Sequence, residues 1–220
     1  MSRQYPFVEW SVLYKSEYKP LYRFPSVEWI RELVEQSKQF QAETGKLMNL
    51  SIHLCADVVA GLLRGDFTPL KPIEDLLPYF QRMQLNEIYE RFAQFLTLLP
   101  GYIRQLPCKP QIILQLNGKR ENEVVGEMLR VAGIDVAFLH DRSGGRGQES
   151  GQWLSPVGSY CGYAGGLKPE NLEKQLPEIA RVTKGRPIYI DLESGVRNED
   201  NLFDLVLAEE VLKIMQGWIK

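Results

Sequence analysis

The chain has 220 residues, with 26 Lys and Arg against 28 Asp and Glu, a net charge of −2 and 44% hydrophobic content. That balance is expected of a globular protein, and without a polybasic run it argues against nucleic-acid and membrane-surface partners while leaving a homo-oligomer open. No apolar run approaches the ~20 residues of a spanning helix, the N-terminal MSRQYPFVEW lacks a signal-peptide core, and Cys55, Cys108 and Cys161 fit neither a disulfide framework nor a zinc finger. A cytoplasmic protein with reduced thiols is expected.

In chain order, FVEWSVLY (7–14) reads as the first strand, and Ser26 caps a helix over SVEWIRELVEQSKQFQAE, with Glu28 just inside. LSIHLC (50–55) is the second strand, followed by a short helical pattern at 76–80 and a third strand, RMQLN (82–86). A helix at 88–99 leads to QIILQLN (111–117), and a helix at 121–132, closed by Gly133, leads to DVAFLHD (135–141). SYCGYAG (159–165) precedes a helix at 169–182 that begins on Pro169. PIYIDLES (187–194) and a last helix at 201–218 complete the series.

Strands alternating with helices, with few hairpin signals, imply parallel pairing through crossover helices. There is no linker or repeat, so a single domain over 1–220 is expected. No G-x-G-x-x-G follows the first strand, which disfavours a dinucleotide-binding sheet. Glycine clusters late in the chain favour a TIM-barrel-like (β/α) barrel, whose phosphate site is built after its last strands. Seven strands are recognisable, so the barrel is one short of eight.

Alternation along the strands assigns faces. Ser51, His53 and Cys55 oppose Ile52 and Leu54. Gln84 and Asn86 oppose Met83 and Leu85, and Gln115 and Asn117 oppose Ile112, Leu114 and Leu116. Tyr189, Asp191 and Glu193 oppose Ile188, Ile190 and Leu192. The apolar sets belong under helices, and the polar sets point inward towards a site at the strands' C-terminal ends. No lysine falls at an inward position, so a Schiff-base lyase lacks its nucleophile. His53 and Cys55 share a face, but two ligands without a third do not make a metal centre. No metal or other cofactor is expected. Trp10, Trp29, Trp153 and Trp218 read as core or capping groups.

Three glycine-bearing strand ends follow one another: LHDRSGGRGQESGQW (139–153), AGGLKPEN (164–171) and ESGVRNED (193–200). Glycines let backbone N–H groups approach an anion, and the helix N-termini that follow favour negative charge. Gly144, Gly145, Gly165, Gly166, Ser194 and Gly195 are the candidate phosphate cradle. Over roughly residues 111–213 these blocks resemble phosphoribosylanthranilate isomerase, a (β/α)₈ enzyme. The N-terminal half is less similar, through LYKSEYKPLYRFPS (13–26).

The resemblance implies an aldose–ketose (Amadori-type) isomerase acting on or binding a phosphorylated sugar. It places Asp141 as the acid that protonates the sugar's ring oxygen and Arg23 as a contact for a substrate carboxylate. It also shows departures. The strand that carries the family's cysteine base is missing, and Asn86 stands where a histidine is usual. Cys55, inward at a strand end, is then the substitute base, and Asp191 a further inward substrate contact. Three readings stay open: an isomerase, a non-catalytic phosphosugar-binding relative, and a sugar-phosphate lyase.

Overall fold

The computed structural model describes residues 1–17, 23–86, 97–116, 120–141 and 152–219. Seven strands lie in one sheet in sequence order: β1 (Glu9–Tyr14), β2 (Asn49–Leu54), β3 (Arg82–Leu85), β4 (Gln111–Leu116), β5 (Val136–Asp141), β6 (Cys161–Ala164) and β7 (Ile188–Ile190). The pairings β1–β2, β2–β3, β3–β4, β5–β6 and β6–β7 are parallel. Between and after them run α1 (Val27–Thr44), α2 (Asp57–Arg64), α3 (Leu99–Ile103), α4 (Arg120–Val131), α5 (Pro169–Thr183) and α6 (Leu205–Gln216). This is the α/β topology of a (β/α) barrel, with seven strands among the described residues where a complete barrel has eight. Among the described residues no helix is long and apolar enough to cross a membrane.

Local chemistry sets the boundaries. Ser26 accepts a hydrogen bond from the Trp29 amide (3.2 Å) to open α1, and Gly45 closes it at φ 75°. Three expectations need correction, and a fourth falls largely outside the described residues. The 76–80 pattern is only a 3₁₀ turn, Leu77–Tyr79. Of the 88–99 pattern, 88–96 lies outside the described residues, and α3 begins at Leu99. The last helix starts at Leu205 because the Asp204 carboxylate caps the amides of Val206 (2.7 Å) and Leu207 (3.2 Å). Trp29 and Trp218 are exposed rather than core or capping groups. The sequence reading also missed α2. All of Val58 to Leu63 is buried, and with polar residues only at its two ends, Asp57 and Arg64, the eight-residue helix is too short for a period to be read.

The chain forms two compact units. The N-unit comprises Glu9–Leu114 and Glu121–Val136, and the C-unit comprises Met1–Val8, Gln115–Arg120 and Ala137–Lys220.

In the N-unit the apolar set of the strands, Ile52, Leu54, Met83, Leu85, Ile112 and Leu114, is buried, as are Ile30 and Val34 of α1. A polar ladder ties the N-terminal strand ends. The Arg82 guanidinium reaches Glu9 (3.0 Å) and donates to Gln111 (3.0 Å), which donates to Asp135 (3.0 Å). Arg82 is buried, and a buried charge is tolerated only when it is paired in this way.

In the C-unit Tyr163, Leu167, Leu172, Leu176, Ile179, Val196, Ala208 and Val211 form one apolar cluster with Trp153. Ile188, Ile190 and Leu192 pack against it, which confirms the face assigned to them by alternation. Buried Trp153 and Tyr163 satisfy their polar ends on Gln175 (2.8 Å) and the Leu154 carbonyl (2.8 Å). Cys55, Cys108 and Cys161 are all free thiols.

The opposite face of β6 has no room to spare. The Tyr189 ring lies over Gly162 with its hydroxyl on the Phe138 carbonyl (3.1 Å), and a Cβ on Gly162 would collide with that ring and with Leu139. Gly162→Ala is therefore expected to lower stability by about 1–3 kcal/mol through overpacking. Urea denaturation reads it directly, and an unchanged midpoint contradicts the packing described.

Candidate functional site

In the C-unit the register fixes the candidate acid. Asp141 is the last residue of β5 and pairs with Ala164 of β6. Tyr163 pairs with Ile190 of β7, so Ala164 is level with Asp191, whose amide donates to the Tyr163 carbonyl (2.9 Å). Because Tyr163 and Ile190 face the helices, alternation puts Asp141, Ala164 and Asp191 together on the other face. Two strand spacings separate the carboxylates' backbones, roughly 9.5 Å. Asp141 is buried and accepts a hydrogen bond from Gln115 (3.4 Å). One row below lie Leu139, Gly162 and Tyr189, an apolar floor under two carboxylates.

Two of the three glycine-bearing strand ends come together. Gly165 (φ 124°) and Gly166 (φ 64°) occupy backbone conformations that favour glycine, and they turn β6 into α5. Asn171 holds that turn: its side chain donates to the Gly166 carbonyl (2.8 Å) and accepts from the Lys168 amide (3.0 Å). After β7, Ser194–Val196 forms a 3₁₀ turn in which Gly195 lies directly on the Leu167 carbonyl, with no room for a Cβ. Among the described residues the amides of Gly165, Gly166, Ser194 and Gly195 have no hydrogen-bond acceptor. Gly144 and Gly145, the third candidate loop, lie outside the described residues.

Sequence reasoning missed Arg197, which braces this second turn. It pairs with Glu193 (3.6 Å) and donates to the Asn201 carbonyl (2.8 Å), while its buried Nε has no partner among the described residues. The i, i+4 spacing of Glu193 and Arg197 in ESGVRNED was the available signal.

The N-unit holds the other candidates at the C-terminal ends of β1, β2 and β3. Cys55 is buried, accepts an N–H from Asn86 (3.1 Å) and directs its thiol to the His53 carbonyl (3.6 Å). Gln84 donates to the Asn86 carbonyl oxygen (2.8 Å) and so fixes which way that amide points. Arg23 lies partly buried in the turn before α1. Ser16 bonds the Asp57 carboxylate, and Tyr14 donates to the Pro69 carbonyl (2.9 Å). Among the described residues no group of three or more His, Cys, Asp or Glu could hold a metal ion.

Ala56, between Cys55 and α2, has φ 49° and ψ −111°, a conformation that L side chains avoid. Nothing in an alanine's sequence context signals this. Relief of that strain outweighs glycine's greater unfolded-state freedom, so Ala56→Gly is expected to stabilise by about 1 kcal/mol. A chemical-denaturation midpoint that falls on this substitution contradicts the strain.

Burial, with the Asp57 carboxylate adding to it, pushes the Tyr14 hydroxyl from 10.0 up to about 12. Below the unfolded value both states are protonated and nothing is lost. Between pH 10 and about 12 the unfolded chain ionises while the fold holds its proton, so stability falls as pH rises. The fall across that window is expected to be shallower in Tyr14→Phe, as read from urea midpoints at each pH; equal slopes count against it.

No protein-family model matches the chain, and no curated protein matches it. Among solved structures, the chain is similar to octameric ribulose-1,5-bisphosphate carboxylase/oxygenase from Pyrococcus horikoshii OT3, solved as a complex with sulfate ion. The TM-score is 0.49 at 13% identity, covering 94% of this chain and 51% of that one. It is also similar to a truncated 3-deoxy-D-arabino-heptulosonate 7-phosphate synthase from Thermotoga maritima, with a TM-score of 0.45 at 12% identity, covering 96% of this chain and 86% of that one. The chain spans about half the length of the carboxylase chain it matches.

Proposed function

We propose that the C-unit binds a phosphorylated sugar at the C-terminal ends of β5, β6 and β7. The observation that carries this reading is the pair of glycine turns packed backbone on backbone, whose four amides lack acceptors among the described residues. A phosphate supplies acceptor oxygens for such amides, and the start of α5 adds a favourable dipole. Gly144 and Gly145 join the cradle on the sequence pattern of glycine-bearing strand ends and on the resemblance.

The chemistry that fits is aldose–ketose isomerisation of the phosphoribosylanthranilate isomerase type. Asp141, buried at the strand end, protonates the ring oxygen so that the furanose opens, and a base then takes the C2 proton. Asp191, on the same face, contacts the sugar. Cys55, Asn86 and Arg23 belong to the N-unit; Arg23 as a substrate contact rests on the resemblance, and Cys55 as substitute base and Asn86 as a substrate contact rest on their inward positions at strand ends.

The second reading is a binding protein without turnover. One observation favours it: the Cys55 thiol is buried and engaged with Asn86 and the His53 carbonyl. An acid without its base forfeits most of the acceleration, since each proton-transfer partner contributes about 10²–10⁴-fold.

Calorimetric titration with ribose 5-phosphate tests the binding. The wild type is expected to bind, Gly166→Val to lose at least about tenfold in affinity, and Asp141→Asn to keep it. Ligand at ~100 times Kd should also raise stability by about 2.7 kcal/mol. No binding by the wild type, or equal affinity in Gly166→Val, overturns the site. Turnover of phosphoribosylanthranilate, followed by its fluorescence, is expected to be negligible. Robust turnover abolished by Asp141→Asn would decide for the isomerase.

A further inference from the structure

The turn after β7 is flanked by opposite charges. Glu193 directly precedes Ser194, Arg197 directly follows Val196, and the amides of Ser194 and Gly195 lie between them. A carboxylate one residue from an anion site opposes binding, because like charges held close together repel. A phosphate seated on this turn therefore needs a cation that offsets Glu193.

Arg197 has the properties for that task. Its side chain is 11% exposed, against 33% for Glu193, so solvent and salt screen it little. One end of the guanidinium is anchored, Nη1 donating to the Asn201 carbonyl (2.8 Å). The other edge is under-used. Nη2 stands 3.6 Å from the Glu193 carboxylate, an ion contact too long for a hydrogen bond, and the buried Nε has no partner among the described residues. A buried cation compensated this loosely is stabilised by a further negative charge nearby. The segment that anchors it is itself tied down. The Asn198 side chain accepts from the Leu202 amide (2.9 Å), and the Asp204 amide donates to the Val196 carbonyl (2.9 Å). The charge is thus set in place before a ligand arrives. The turn is short, so the guanidinium lies within on the order of one Debye length, ~8 Å at physiological salt, of an anion on the Ser194 and Gly195 amides.

We propose that Arg197 is the charge-selecting residue of this turn: it offsets Glu193 through its field and so admits the doubly charged phosphate of a sugar monoester. The inference rests on the reading that the C-unit binds a phosphorylated sugar.

Calorimetric titration of the full chain with ribose 5-phosphate at low and high salt tests this. Arg197→Met is expected to bind about tenfold or more weakly than the wild type at low salt, with a smaller deficit once salt screens Glu193. Glu193→Gln should bind at least as tightly as the wild type. Arg197→Met/Glu193→Gln removes both charges and should return to within about threefold of the wild-type constant. A merely structural brace predicts otherwise, because the double variant lacks the Asn201 anchor as fully as the single one does. Recovery in the double variant also cannot arise from a fold that Arg197→Met destroys. A loss that the second substitution does not recover, or an affinity indifferent to Arg197→Met, overturns the inference while the wild type still binds. No binding by the wild type overturns the phosphate reading and this inference with it.

Discussion

Parallel strands send alternate side chains to opposite faces, and in β5, β6 and β7 that alternation is locked into one register. The rest of the C-unit depends on it. The same pairing that buries Tyr163 and Ile190 under α5 and α6 must set Asp141, Ala164 and Asp191 on the other face. A slip of one residue would bury two carboxylates in the apolar cluster and turn Tyr163 out of it. Core and candidate site are therefore two consequences of one constraint. Below the carboxylates, Gly162 leaves the space that the Tyr189 ring fills, so the floor of the row is closed by packing.

The two ends of the N-unit's strands use polar groups differently. At the N-terminal end, Glu9, Arg82, Gln111 and Asp135 are joined in one chain of hydrogen bonds, the pattern of a stability face. At the C-terminal end, Cys55, Asn86 and Gln84 are linked beside a strained alanine. Strain of about 1–3 kcal/mol persists only where the surroundings over-determine it, and such positions gather where a chain positions groups for use.

The strands were the most legible part of the sequence. Each is a short, largely apolar run, and all seven appear in the expected order. The faces assigned by alternation also hold: Gln84, Asn86 and Cys55 bond one another, as do Gln115 and Asp141, while Ile188, Ile190 and Leu192 pack under helices. What escaped was set by tertiary context. Helix α2 has eight residues with its polar ones, Asp57 and Arg64, only at the ends, too short a run for a period to be read. The left-handed backbone at Ala56 is imposed by the turn between β2 and α2 and leaves no trace in residue choice. The Arg82 ladder joins residues 73 and 29 positions apart, a distance at which only the folded sheet makes them neighbours. The glycines were visible as turns, but that Gly195 rests on the Leu167 carbonyl was not, because nothing local to either segment encodes their meeting.

The central claim is that the two packed turns present their amides to an anion. An amide-resolved NMR titration of the full chain with inorganic phosphate addresses it most directly. Saturable shifts concentrated at Gly165, Gly166, Ser194 and Gly195, and at the first turn of α5, are the predicted result. Saturable shifts centred elsewhere, or only a weak uniform drift with ionic strength, would contradict the account.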